Sequence, residues 1–191
     1  MTLRRLIVIF VTFARLPLAA AAAALVFLAA PGGAAAWIAL GLLVAMELTD
    51  LLDGVLARRL GVAGLFGELF DPYCDSVARL VTYFGLASAA LCPWWLVLVM
   101  ALRDISVAYA RIVSTIRGGK VSSRLSGKLK AVVQGAGAIA LVGLLATAPQ
   151  AAWRAAVGPV VAWAVAAVTA WSGIDYFLAA VARKKTSPSD D

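Results

Sequence analysis

Four aspartates in two otherwise apolar stretches are the residues of this chain best suited to do chemistry. Asp50 and Asp53 are three residues apart in the first stretch, and Asp71 and Asp75 are four residues apart in the second. An ionised carboxylate in hydrocarbon is costly, so such a residue indicates a functional site. Four neighbouring carboxylates would repel one another unless one or two divalent cations compensated their charge. Because all the donors are oxygens, a hard cation such as Mg²⁺ or Mn²⁺ is expected.

Other residue types narrow the chemistry further. The sequence contains no histidine, which removes the usual general base and the usual zinc ligand. Acid–base chemistry would then depend on Asp, Glu, Lys or Tyr. The two cysteines, Cys74 and Cys92, each lie within or beside an apolar run, and we interpret both as small buried hydrophobic residues.

The elements that must position these acids are predicted by composition. Of the 191 residues 63% are hydrophobic, and the mean hydropathy is +0.95. Such a composition predicts an all-α integral membrane protein. We expect a single membrane domain over residues 1–191, with a polar and disordered tail at 186–191. Six apolar segments have roughly the 20-residue length that a bilayer requires: 12–30, 36–60, 67–91, 94–116, 127–148 and 156–182.

The basic residues predict how these segments are oriented. The net charge is +7, and six spans would leave only Arg154 on one side of the membrane. The positive-inside rule then places both termini, and the loops after spans two and four, in the cytoplasm. We therefore expect a multi-pass protein of the bacterial inner (plasma) membrane, with anionic lipid rather than nucleic acid as its charged partner. A cleaved signal peptide is disfavoured because Arg15 interrupts the first apolar run.

Helix geometry predicts that the four aspartates meet. Spans two and three are expected to be antiparallel neighbours across a short loop, and a rise of about 1.5 Å per residue puts Asp53 level with Asp71. Asp50 would lie level with Asp75, and the spacings keep each pair on one helix face. We expect a cytoplasm-facing polar active-site cavity, with the carboxylates roughly 6–12 Å below the helix ends.

Alternatives to a metal site remain open at this point. The acids could form buried ion pairs with arginines such as Arg79 and Arg103, or could line the path of a small cation transporter. Gly54 and Ala57 lack bulk, so a nucleotide could lie against their helix, although close helix packing favours small residues too. Arg58 could bind a phosphate oxygen or act as a positive-inside anchor.

The acids and their neighbours also form the pattern D-x2-D-G-x2-A-R-x8-G-x3-D-x3-D, which the chain matches without departure. By this pattern the chain resembles the CDP-alcohol phosphatidyltransferases. The resemblance implies a homodimer of six-helix subunits that transfers a phosphatidyl group from CDP-diacylglycerol to an alcohol and releases CMP. It implies metal binding by Asp50, Asp53, Asp71 and Asp75, with Asp75 also the catalytic base. It implies CDP binding by Asp50, Asp53, Gly54, Ala57, Arg58 and Gly67.

A second basic group lies on the predicted cytoplasmic side: Arg111, Arg117, Lys120, Arg124, Lys128 and Lys130. These side chains could bind the phosphate of a phosphorylated acceptor, with Arg111 the first choice. The alternative is positive-inside charge attracted to anionic lipid. Arg15 is a further candidate for the acceptor phosphate, and its alternative role is snorkelling to the interface.

Shorter segments resemble the phosphatidylglycerophosphate synthases of that family. They are 12–15, 103–104, 127–134 and 171–177. The resemblance implies sn-glycerol 3-phosphate as the acceptor. Inositol phosphate, serine or a lipid head group are the alternative acceptors for the same chemistry.

Overall fold

The computed structural model describes residues 3–60, 65–116, 124–148 and 150–183, with backbone alone at 3–11, 50–60, 65–69, 115–116, 154 and 180–183. The helices in these ranges are α1 (Leu3–Leu28), α2 (Ala34–Leu60), α3 (Leu65–Ser88), α4 (Trp94–Ile116), α5 (Leu125–Thr147) and α6 (Arg154–Arg183). The described ranges contain no strand, so the all-helical class predicted from the sequence is confirmed.

Each predicted span overlaps one helix, although the bounds differ. All the helices except α4 begin before the predicted start, and α1, α3 and α5 end before the predicted end. The first span was predicted to begin at Thr12, whereas α1 begins at Leu3. The preceding residues include no glycine or proline that would end a helix, so helical structure continues past the apolar segment. Between α1 and α2 the chain turns at Pro31, Gly32 and Gly33, and Gly32 adopts a φ of 76°, which favours glycine.

Two segments of the described chain are long and apolar enough to cross a membrane. They are Leu125–Thr147 in α5 and Ala155–Ala179 in α6, and the stretches Thr12–Leu28 and Ala34–Thr49 are apolar but shorter. Ionisable residues lower the hydropathy of α3 and α4. These residues are Glu68, Asp71, Asp75 and Arg79 in α3, and Arg103, Asp104 and Arg111 in α4.

The helices pack around an apolar core made largely of small residues. α1 packs against α2 and α3, α5 against α2 and α6, and α4 against α3 and α6. Gly85 of α3 lies directly on α1, where an added Cβ would be 2.6 Å from the Cα of Ala23. Gly158 of α6 similarly lies against the carbonyl oxygen of Leu91. Such close helix contacts through small residues are typical of membrane proteins.

Large apolar side chains face outward while charged pairs lie inside. Trp163 and Phe177 of α6 are each 68% exposed, and Leu102 of α4 is exposed as well. By contrast, Arg79 and Asp104 are buried. This distribution is the reverse of a soluble protein and fits a bundle that contacts lipid.

Both cysteines are buried, as the sequence predicted. Cys92 lies in the turn between α3 and α4, and burial raises the pKa of its thiol to about 11. Cys92 therefore remains a protonated, unreactive thiol at neutral pH.

The turn after α3 contains a strained residue. Ala90 has a φ of 56°, in the left-handed region. The Leu91 amide donates to the carbonyl of Leu86 at 2.9 Å, and the Ala90 amide donates to the carbonyl of Ala87 at 3.0 Å. This helix end is of the type that usually places glycine at the left-handed position.

Replacing Ala90 by glycine should therefore stabilise the protein. The left-handed conformation costs an L-residue about 1–2 kcal/mol, and glycine avoids this cost. Part of the gain is lost, because glycine has more conformational freedom in the unfolded chain. We expect the free energy of unfolding to rise by about 0.5–1 kcal/mol, measured by denaturant unfolding in detergent. Ala89→Gly in the same turn, where φ is not positive, is the matched control and should destabilise. Equal destabilisation by both changes would contradict the assignment of strain to Ala90.

Candidate active site

Asp71 and Asp75 lie on one face of α3, where α1 supplies a polar partner to each. Thr12 Oγ1 donates a hydrogen bond to Asp71 Oδ1 at 3.2 Å, and Arg15 Nη1 forms an ion pair with Asp75 Oδ1. The Arg15 side chain is 5% exposed, whereas that of Asp75 is 38% exposed. The carboxylate of Asp75 is thus held from the protein side and still accessible from outside.

The role of Arg15 differs from the two that the sequence offered. The sequence analysis considered Arg15 as an acceptor ligand or a snorkelling residue, and the structure places it on Asp75. The signal in the sequence was the polar pair Thr12 and Arg15, three residues apart in an apolar run. That spacing places both on one helix face, as the four-residue spacing does for the two aspartates of α3.

A second ion pair joins α2 to α3 one turn further along. Arg79 donates from Nη1 to Glu47 Oε1 at 2.9 Å and from Nη2 to Glu47 Oε2 at 3.1 Å, a bidentate geometry. Gly135 of α5 backs the carboxylate so closely that an added Cβ would be 2.6 Å from Cδ and both oxygens. A small cavity lies between this pair and the Arg15–Asp75 pair, and Met46 and Ala78 line it as well.

The other predicted metal and nucleotide residues can be located only by backbone. Asp50, Asp53, Gly54, Ala57 and Arg58 follow Glu47 in the last turns of α2, and Gly67 lies in the first turn of α3. The side chains of Asp50, Asp53, Ala57 and Arg58 lie outside the described part of the chain. Among the described side chains, no group of three or more Asp, Glu or Cys could hold a metal. The four-carboxylate cluster therefore stays a prediction.

A third polar group ties α4 to α5 and α6. Asp104 Oδ1 accepts hydrogen bonds from Lys130 Nζ at 2.7 Å and from Arg103 Nη1 at 2.8 Å. Arg103 Nη2 also donates to Ser172 Oγ at 2.6 Å. The side chains of Lys130 and Asp104 are 7% and 6% exposed. Lys130, predicted as a phosphate ligand, is thus a buried partner of a carboxylate, and so is Arg103.

The remaining basic residues gather around Tyr176 of α6. The Tyr176 hydroxyl accepts hydrogen bonds from Arg111 Nη2 at 2.9 Å and from the Arg124 backbone amide at 3.2 Å. The guanidinium groups of Arg103 and Arg111 each lie 5.3 Å from the centre of the Tyr176 ring. Tyr176 therefore positions two of the predicted acceptor residues, a role the sequence analysis did not assign.

Arg124, immediately before α5, is held by an acid of α6. Its Nε and Nη2 donate to the two oxygens of Asp175, each at 2.6 Å, and Ser126 Oγ donates to Asp175 Oδ2 at 2.5 Å. The hydrogen bonds to Asp175 raise the pKa of Arg124 above its ordinary value, so the guanidinium stays charged. Lys128, the fourth predicted acceptor residue, is exposed.

Comparisons with known proteins agree with the motif. The sequence model of the family described as CDP-alcohol phosphatidyltransferase matches residues 4–184. The chain is 36% identical over 87 residues to a probable phosphatidylglycerophosphate synthase of Mycobacterium tuberculosis, covering 46% of this chain and 41% of that protein. It is 31% identical over 93 residues to the CDP-diacylglycerol–glycerol-3-phosphate 3-phosphatidyltransferase of Bacillus subtilis, covering 49% and 48%. It is 39% identical over 66 residues to a cardiolipin synthase (CMP-forming) of Streptomyces coelicolor, covering 35% and 31%. The chain thus matches less than half the length of each of these relatives.

Proposed function

Because the chain belongs to the CDP-alcohol phosphatidyltransferase family, we propose that it transfers the phosphatidyl group of CDP-diacylglycerol to sn-glycerol 3-phosphate. The products are phosphatidylglycerophosphate and CMP. The names of the Mycobacterium tuberculosis and Bacillus subtilis relatives support this acceptor. The observation that supports the activity most is the face of α3 on which Asp71 and Asp75 are held by α1 beside a small cavity.

The Glu47–Arg79 ion pair supports the proposed register of the two motif helices. One helical turn from Glu47 towards the α2–α3 connection is Asp50, and one turn from Arg79 in the same direction is Asp75. A further turn on each helix leads to Asp53 and Asp71. At a rise of about 1.5 Å per residue, these steps of three residues on α2 and four on α3 keep the two helices level to within about 3 Å. The ion pair therefore supports Asp50 opposite Asp75 and Asp53 opposite Asp71.

Asp50, Asp53, Asp71 and Asp75 would hold one or two Mg²⁺ or Mn²⁺ ions. The described part of the set fits such a cation, because its donors are hard carboxylate oxygens on one helix face and Asp75 is accessible. When bound, the cation supplies neutralisation of the diphosphate charge.

The other motif residues bind the substrates in this proposal. Gly54 and Ala57 leave room for the nucleotide against α2 and Gly67 does so at α3, while Arg58 contacts a phosphate. The carboxylate of Asp75 accepts the proton of the acceptor hydroxyl as the new phosphate ester forms.

Arg111, Arg124 and Lys128 are proposed to bind the acceptor phosphate. Tyr176 brings Arg111 and Arg124 together, and Arg presents a fork of donors that suits phosphate. Lys130 belongs to the same proposed pocket, but its ammonium group is already neutralised by Asp104. It would therefore contribute mainly by positioning α5 against α4.

We propose six membrane spans in a homodimer of the bacterial inner membrane, with the site facing the cytoplasm. The described helices are 23 to 30 residues long, and about 20 residues suffice to cross a bilayer. Apolar side chains exposed around the bundle support lipid contact. The basic residues on one side support the orientation.

An acceptor panel with purified protein in detergent tests the proposed function. CDP-diacylglycerol is supplied with sn-glycerol 3-phosphate, inositol phosphate, serine or phosphatidylglycerol, and CMP release is measured with Mg²⁺, with Mn²⁺ and with chelator. We expect metal-dependent release that is fastest with sn-glycerol 3-phosphate.

Serine as the best acceptor would contradict the phosphate pocket. Phosphatidylglycerol as the best acceptor would favour the activity named for the Streptomyces coelicolor relative. Ion flux in liposomes without CMP release would favour a transporter.

A further inference from the structure

We propose that Glu47 is a positioning residue that keeps Arg79 away from Asp75 and so preserves the metal affinity of the site. The inference rests on the proposed function, because it assumes that Asp75 is a metal ligand. Glu47 is not part of the eight-residue motif, and neither is Arg79.

Local helix rules alone would pair Arg79 with Asp75. Arg79 follows Asp75 by four residues in α3, and residues four apart on a helix are neighbours, with acid before base the favoured order. In the structure both terminal nitrogens of Arg79 are instead directed to Glu47 of α2, at 2.9 and 3.1 Å. A bidentate pair of this kind uses the full hydrogen-bonding geometry of the guanidinium group.

The absence of a side chain at Gly135 of α5 leaves room for the Glu47 carboxylate. A Cβ at position 135 would be 2.6 Å from the carboxylate carbon and from both oxygens. A small cavity beside Glu47, Arg79 and Gly135 is also lined by Thr82, Tyr83 and Gln134. The ion pair is therefore set by three helices together rather than by α3 alone.

Charge balance explains what Glu47 does for the site. Arg15 pairs with Asp75, and Arg79 pairs with Glu47, so the four groups together are neutral. Without Glu47, the charges of Arg15 and Arg79 would both lie beside Asp75. Two cations there would oppose a divalent cation through Coulomb repulsion, which is strong where water is scarce.

Mn²⁺ binding to the purified protein in detergent, followed by the electron paramagnetic resonance signal of free Mn²⁺, tests the inference without relying on turnover. We expect Glu47→Gln to weaken Mn²⁺ binding by about tenfold or more, since one compensating charge is lost near the site. Arg79→Gln should leave binding unchanged or tighten it. The double variant Glu47→Gln/Arg79→Gln should restore binding to within about threefold of the unsubstituted protein.

The opposite signs of the two single variants separate this role from a structural one. If the ion pair only held α2 to α3, both single variants would weaken binding together and the double variant would not recover. Tyr83→Phe is the matched control, because it removes another buried tie between helices, the 2.8 Å hydrogen bond to the Gln134 carbonyl, without changing charge. It should bind Mn²⁺ as the unsubstituted protein does.

The outcomes distinguish failure of the metal site from failure of the inference alone. An unsubstituted protein that binds no Mn²⁺ overturns the proposed metal site, and the inference with it. An unsubstituted protein that binds Mn²⁺ while Glu47→Gln binds equally well overturns only the inference. If Glu47→Gln fails to fold, weaker binding by Arg79→Gln is by itself enough to overturn it.

Discussion

Asp75→Asn is expected to lower the rate of CMP release by about 10²- to 10⁴-fold, the usual contribution of a positioned general base. Asparagine keeps the size of the side chain but cannot accept the proton of the acceptor hydroxyl. It also removes the charge that Arg15 pairs with, so a nearly buried guanidinium would lose its carboxylate. The rate is measured with saturating CDP-diacylglycerol, sn-glycerol 3-phosphate and divalent metal, so that weaker binding of any of them does not mimic a slower chemical step.

The neighbouring residue provides a control for Asp75. Ser76 is half-buried on the same turn of α3, and Ser76→Ala should keep the rate within about twofold, as for most small changes away from a site. Both variants should elute as the unsubstituted protein does in size exclusion. Turnover of Asp75→Asn within about fivefold of the unsubstituted rate would remove Asp75 from the catalytic role, since a base contributes far more.

Asp104→Asn is expected to destabilise the protein by about 3–5 kcal/mol, the cost of breaking a buried ion pair from one side. Asp104 Oδ1 accepts from both Lys130 and Arg103, and the exposed fractions of all three side chains are below a tenth. Without the carboxylate, two nearly buried cations would face each other across the α4–α5 contact. The free energy of unfolding is measured by denaturant titration in detergent.

A double variant tests whether the loss comes from the uncompensated charge. Asp104→Asn/Lys130→Met removes one of the two cations and should recover part of the loss, because replacing both partners of a buried pair is often tolerated. Ser106→Ala is the control on α4, since its exposed hydroxyl bonds only to the carbonyl of Leu102, one turn earlier in the same helix. It should change stability by less than about 0.5 kcal/mol. A double variant as unstable as Asp104→Asn would point to lost packing rather than charge.

The spacing of residues along the sequence was enough to predict the helices and the helix face that carries Asp71 and Asp75. The apolar runs predicted all six described helices, because each helix needs a run of that length whether or not its partners are known. The four-residue spacing of Asp71 and Asp75 was enough to place both on one face of α3, since helical periodicity depends on nothing else. The completion of the cluster by Asp50 and Asp53 stays a prediction.

The partners of the charged residues could not be predicted in the same way. The partner of Asp75 is Arg15, 60 residues earlier, and the partner of Arg124 is Asp175, 51 residues later. No periodicity relates residues on different helices, so such pairs emerge only from packing. Arg79 shows the point most clearly, because its nearest candidate in sequence lay one turn away and its partner lies on another helix.

The contact between Gly135 and Glu47 links two distant positions of the chain. A methyl group at residue 135 would overlap the carboxylate of residue 47, so neither position can change freely while the other stays as it is. Among homologous sequences, a bulkier residue at the first position should coincide with loss or shortening of the acid at the second. Covariation of the two positions in an alignment of many species would then indicate that α2 and α5 are in contact, without any coordinates.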